Sequence, residues 1–142
     1  MKKLLLAVLL LFSIGVSAQT TTYFTAVKTA LYEKYSWESE YKYSRGNDDV
    51  SIPVSLTSTV ISIQAEIATT LKIYPNTNKD FAGRTSGNNV AYKGTTWQAY
   101  DIVKDRSCTV DLVVYANSEY VILAVNYPGN PAVNIRYYLI EN

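Results

Sequence analysis

The sequence predicts an all-β fold: an antiparallel meander of about eight strands, closed as an up-and-down barrel or folded as a two-layer sandwich. Three observations carry this. Apolar and polar residues alternate with period two through most of the chain after residue 20, and clusters of Asn, Asp, Gly, Pro and Ser interrupt the alternation at regular spacing. Tyrosine is in excess, with 13 residues beside Trp37 and Trp97, and such residues favour a pleated, half-buried surface. The connections are short and no internal repeat is present, which fits a meander. Closure would also hide the edges that a Tyr- and Val-rich sheet otherwise exposes.

Taken in order, residues 23–34 fit both periods. Phe24, Val27, Leu31 and Tyr35 match a helix, while Val27, Thr29 and Leu31 match a strand; the β character of the rest favours the strand. Residues 35–43 alternate Tyr35, Trp37, Ser39, Tyr41 and Tyr43 against charged residues and read as a strand with one wet face. Residues 44–49 read as a turn. Residues 50–56 read as a strand in which Pro53 donates no ladder bond, so an edge or a bulge is expected there. After a connection at 57–59, strands follow at 60–65, with Ile61 and Ile63 inward, and at 71–74.

Residues 75–89 form the one long irregular stretch, of the kind that is often functional. Short strands are expected at 90–93 and, with Trp97, Ala99, Asp101 and Val103 on one face, at 97–103. Beyond a turn at 104–106, Cys108, Val110, Leu112 and Val114 share the inward phase. Asn117 suits a left-handed hairpin position. Residues 120–127 are apolar enough for both faces to be covered. Tyr127-Pro128-Gly129-Asn130 reads as a type II turn before the last strand at 133–140.

The first 18 residues read as an export signal. Lys2 and Lys3 precede an apolar run over 4–16, too short to span a bilayer, and Val16-Ser17-Ala18 presents small residues for cleavage before Gln19. Removal leaves about 124 residues, one domain by length. The protein is thus expected outside the inner membrane: periplasmic, on the cell surface or secreted.

Composition excludes several chemistries. The full chain has 13 Lys and Arg against 12 Asp and Glu, and losing Lys2 and Lys3 gives a net charge of about −1. That is no footprint for nucleic acid or anionic lipid. No second apolar run approaches the roughly 20 residues of a membrane helix. Histidine is absent, which removes Ser-His-Asp and Cys-His nucleophile systems and imidazole metal sites. Cys108 is the sole cysteine, so no internal disulfide forms, and its phase predicts a buried, inert thiol.

Paired carboxylates are the one catalytic option: Glu38 with Glu40, or Asp101, Asp105 and Asp111 on neighbouring strands or their turn. Glycoside hydrolysis needs two such groups at a set separation. For Asp101 a structural task, pairing with a cation or capping a turn, is the better reading, and no residue is assigned as catalytic. Asn76, Asn78 and Asp80 mimic the start of a calcium loop, but Phe81-Ala82-Gly83 breaks the pattern. Gly83-Arg84-Thr85-Ser86-Gly87 lacks the Gly-Lys-Ser/Thr ending of a phosphate loop. Neither metal nor cofactor is implied.

The chain resembles small exported single-domain all-β bacterial proteins of uncharacterised function. The resemblance rests on Ser17-Ala18-Gln19, the aromatic segment around Trp37, Val50-Ser51-Ile52-Pro53-Val54, Cys108-Thr109-Val110-Asp111-Leu112 and Ile135-Arg136-Tyr137-Tyr138-Leu139. It implies a compact all-β domain exported by a Gram-negative bacterium, and no activity. The expected function is a non-catalytic binding module for a small molecule, glycan or peptide; a structural or interaction protein and a carboxylate-based hydrolase are the alternatives. The expected ligand site gathers Trp97, Trp37, Tyr100, Arg84 and Asn88, because an indole offers stacking area and the 75–89 stretch precedes Trp97.

Overall fold

The computed structural model describes residues 21–142. The expected leader over 1–18 and its cleavage point lie outside the described residues. Ten strands follow in chain order: β1 (Thr22–Lys34), β2 (Lys42–Asn47), β3 (Ile52–Leu56), β4 (Val60–Ile63), β5 (Thr69–Ile73), β6 (Lys79–Arg84), β7 (Ala91–Asp101), β8 (Arg106–Tyr115), β9 (Val121–Tyr127) and β10 (Ala132–Glu141). No helix occurs among the described residues.

All pairings are antiparallel. Neighbours run β1–β3–β4–β5–β7–β8–β9–β10, and β10 pairs back onto β1, so these eight strands close a barrel. The expected fold class is therefore correct, and the barrel rather than the sandwich is the form taken. Eight strands leave an interior just wide enough for side chains to fill. Phe24, Leu56, Ile61, Leu71, Val110, Leu123 and Leu139 fill it. Each such side chain contributes about 1.5–3 kcal/mol relative to exposure.

Alternation places these residues correctly. Thr69, Leu71 and Ile73 of β5 are buried, as are Cys108, Val110 and Leu112 of β8. The β9 strand is covered on both faces, as its composition implies. Its outward Ile122 and Ala124 lie between Val113 and Asp111 of β8 and Tyr138 and Arg136 of β10.

Two long strands are each shared between the barrel and an arm. One edge of β1 pairs with β10 throughout, and its other edge pairs first with β3 and then with β2. One edge of β7 pairs with β8 throughout, while its other edge pairs first with β6 and then with β5. The arms β2 and β6 thus extend from opposite ends of the barrel wall.

Several local expectations are corrected. Residues 35–41 are a turn rather than a strand. The Glu38 N–H donates to the Tyr35 carbonyl at 3.0 Å, the Glu38 carboxylate accepts the Tyr35 N–H at 3.1 Å, and Lys42 pairs with Glu38 at 2.8 Å. These local bonds outcompete extension, a contest that alternation does not register. The segment read as a turn, 44–49, instead supplies the last four residues of β2.

The 75–89 stretch contains β6, and the two short strands expected after it merge into β7. Gly94 permits this: a Cβ there would stand 2.4 Å from the Leu112 carbonyl oxygen and 2.7 Å from the Phe81 ring. Pro53 lies on an interior strand. Its carbonyl accepts the Gln64 N–H just beyond β4, so its missing donor faces the end of that strand and removes nothing from the β4 ladder. Asn117 does not adopt a positive φ, whereas Asn76, Asn89 and Asp105 do. Its hairpin closes through a Ser118 N–H to Tyr115 carbonyl bond at 3.1 Å. Val103 leaves the strand for the following turn and is exposed.

Candidate functional site

The barrel opens where β1 leaves β3 and takes up β2. A register irregularity between Ala26 and Lys28 rephases β1. Beyond it, Thr29 and Leu31 lie opposite Tyr137 and Ile135 on the inner wall. Arg45 and Asn47 of β2 pair with Leu31 and Thr29, so they share that face. Ile52 and Ala65 complete a mouth pocket of about 340 Å³.

The pocket is apolar below and polar at its rim. Arg45 makes no ion pair among the described residues, where Lys28–Asp48 and Lys42–Glu38 are the pairs formed. Tyr137 forms part of the lining, and burial, helped by the charge of Asp101, raises its phenol above the ordinary range.

A buried polar cluster adjoins Tyr137. Asp101 is 0% exposed. One carboxylate oxygen accepts the N–H groups of Val103 and Lys104, both at 3.0 Å, and the other accepts the Tyr127 hydroxyl at 2.6 Å. Asp101 therefore caps the β7–β8 turn and ties it to β9. The Lys104 ammonium and the Arg106 guanidinium lie 4.4 and 5.0 Å from the Tyr127 ring centroid. Burial and the bond to Asp101 push the Tyr127 phenol up as well. Burial, reinforced by Asp101, pushes the Cys108 thiol up to about 11. A thiol so placed is not a nucleophile near neutral pH. The cluster fixes the shape of the barrel end.

Three further carboxylates also have local partners. Glu38 is held below the usual range by the Lys42 hydrogen bond and the Tyr35 N–H. Asp111 accepts from the Asn126 amide at 3.2 Å. Asp80 accepts the Thr95 hydroxyl at 2.7 Å. None of these lines the mouth.

The expected site residues do not converge. Trp97 points inward and is 6% exposed within the core. Trp37 is 76% exposed on the 35–41 turn, stacked on Tyr35 at 4.8 Å and 15°. Tyr100 is half-buried on β7, in register with Lys72 and Ser107. Arg84 and Asn88 belong to the β6–β7 hairpin end, where Arg84 donates to the Asn89 carbonyl at 3.1 Å and Asn88 accepts the Thr85 hydroxyl. Arg45 and Tyr137 escaped sequence reasoning. The one signal for them was the shared phase of Thr29 and Leu31, which says nothing of what stands opposite.

Comparison of the chain with family models, with curated proteins and with solved structures returns no match. The site is therefore read from its own geometry. Among the described residues no helix is long and apolar enough to cross a membrane.

Proposed function

We propose that this protein is a non-catalytic binding module that takes a small apolar molecule bearing one anionic group into the barrel mouth. The observation that carries the reading is Arg45, a guanidinium without an ion-pair partner among the described residues, set on the inward face of β2 above an apolar lining. Barrel mouths are a preferred place for small ligands. A guanidinium fork matches a carboxylate in two parallel hydrogen bonds, while Leu31, Ile52 and Ile135 would receive an alkyl chain. The protein would act after export, in the periplasm, at the cell surface or in the medium, as the leader implies.

Calorimetric titration of residues 19–142 with octanoate, octanol and octylamine tests this. Octanoate should bind most tightly, and Arg45→Gln should weaken it about tenfold, the equivalent of one charge-assisted bond. Equal affinity for octanoate and octanol, or an unchanged octanoate affinity in Arg45→Gln, would overturn the reading.

An interaction protein remains the second reading, favoured by the exposed Tyr35–Trp37 stack and the unpaired outer edge of β2. Analytical ultracentrifugation showing concentration-dependent self-association that Trp37→Ala abolishes would support it.

A further inference from the structure

We propose a second site, for a neutral oligosaccharide, on the outer face of β7, β8 and β9. Register sets Gln98 beside Thr109 and Thr109 beside Asn126, so three polar side chains stand in a row across three strands. Tyr74 extends the row at one end, since its N–H donates to the Gln98 carbonyl at 3.0 Å. Tyr41 and Pro128 stand over the same groove, whose volume is about 330 Å³. The 35–41 turn that carries Tyr41 is anchored across the β9–β10 connection by a Ser36 N–H to Asn130 side-chain bond of 3.0 Å.

Three features choose the ligand. First, no Asp, Glu, Lys or Arg lines the groove, and its thiol, Cys108, is neutral at ordinary pH. The nearest charged groups stand behind the lining and are already engaged with it: Arg106 donates to the Pro128 carbonyl, Lys34 lies over the Tyr41 ring and Asp111 accepts from Asn126. A ligand charge would therefore meet no free charged side chain in the lining itself. Second, the polar groups are amides and hydroxyls, which both donate and accept, as the hydroxyls of a sugar require.

The Asn126 amide is also held in place. It donates to Asp111 at 3.2 Å and accepts from Asn134, whose own oxygen accepts from Arg136 Nε at 3.0 Å. Each end of that amide keeps hydrogen-bonding capacity for a ligand. Third, Tyr41 and Tyr74, both partly exposed, offer ring faces of the kind that pack on a pyranose. A peptide bound as an added strand would instead need a free strand edge. Here β8 is paired on both sides, and β7 is bounded by β5 and β6. The groove shares no lining residue with the mouth, so this site does not depend on the mouth being occupied.

Calorimetric titration of residues 19–142 with maltohexaose, cellohexaose and chitohexaose tests the proposal, with polygalacturonate as the charged comparator. At least one neutral hexaose should saturate the protein. Tyr41→Ala should weaken it about tenfold, the worth of one aromatic contact. Gln98→Ala should weaken it measurably, and Arg45→Gln should leave it unchanged. Both groove variants alter exposed positions, and an unchanged thermal midpoint verifies that they fold. Failure of all three hexaoses to bind, preference for polygalacturonate, or affinities indifferent to Tyr41→Ala and Gln98→Ala would each overturn the assignment.

Discussion

The two arms share a topology and differ in the side chains that hold them. Both β2 and β6 lie along the spare half of a long barrel strand. The β6 arm is stapled down. Phe81 and Tyr92 have ring centroids 6.4 Å apart, and the Thr95 hydroxyl bonds Asp80. The β2 arm has all six residues exposed and is held to β1 mainly by its backbone, a Tyr32–Tyr43 edge contact at 5.7 Å and a surface ion pair, Lys28–Asp48, at 3.6 Å. Exposed pairs of that kind contribute little. Segments with few buried contacts open at lower free energy than the core, and mobile binding elements are drawn from that class. The loosely held arm is also the one that presents Arg45 to the mouth. One arm is thus packed against the wall through its side chains and the other forms the rim of the mouth.

The strongest way to break this comparison is to crowd each arm with a single methyl group. Gly94 lies between β6 and β8, and its added Cβ would meet the backbone of Leu112. Gly94→Ala should therefore destabilise the whole fold by about 1–3 kcal/mol. An unchanged urea midpoint would show that β8 and β6 both shift to admit the methyl group.

Alkali tests the wall at the barrel end. Cys108, Tyr127 and Tyr137 all hold their protons more tightly when folded. Below the unfolded thiol value of about 8.5 that stabilisation is complete. As pH climbs the unfolded chain loses protons that the native state keeps, so stability falls, and the thiol's share is gone once its folded value of about 11 is passed. The thermal midpoint should be flat around neutrality and drop through this window. Cys108→Ala should flatten part of the drop. A midpoint that held steady to the top of the window would contradict the burial of these groups.

Gly46→Ala is the counterpart on the loose arm. Its Cβ would stand 2.6 Å from the Thr29 carbonyl oxygen and 2.8 Å from the Tyr43 hydroxyl. Gly46 lies on the arm itself, so β2 can move aside, whereas Gly94 lies on the barrel strand β7 and its methyl group meets β8. The global midpoint should shift by less than about 0.5 kcal/mol, while amide-exchange protection falls across 42–47. A loss as large as that of Gly94→Ala would mean that the arms are equally rigid. The smallest effect belongs to Arg45→Gln. An exposed guanidinium with no ion-pair partner should leave stability within about 0.5 kcal/mol, and a larger loss would place Arg45 in the scaffold rather than at a binding rim.

Legibility followed the same division. Where one face is buried against the core, alternation reports it: Ile61 and Ile63, Cys108 through Leu112, and both faces of β9 are placed correctly. Where a strand lies at the surface, the pattern misled. Tyr35 to Tyr43 alternates as a strand yet turns at Glu38, and Lys79 to Arg84 lacks alternation yet pairs with β7. Surface strands form because a neighbour offers a ladder, which the local sequence does not record. Trp97 drew attention as an indole near a presumed loop. The 75–89 stretch contains the six residues of β6, and the indole is core.

The sequence by itself determined an antiparallel β protein, a buried thiol and an aspartate suited to capping a turn. Local alternation suffices for that, since each inward side chain is chosen by burial alone. Only the tertiary structure decided closure, the division of β1 and β7 between wall and arm, and the meeting of Arg45 with Leu31, Ile135 and Tyr137. Those depend on register between segments far apart in the chain, where backbone hydrogen bonds are much the same whatever the residue. The pairing is settled by the fit of the whole barrel rather than by any short stretch of it.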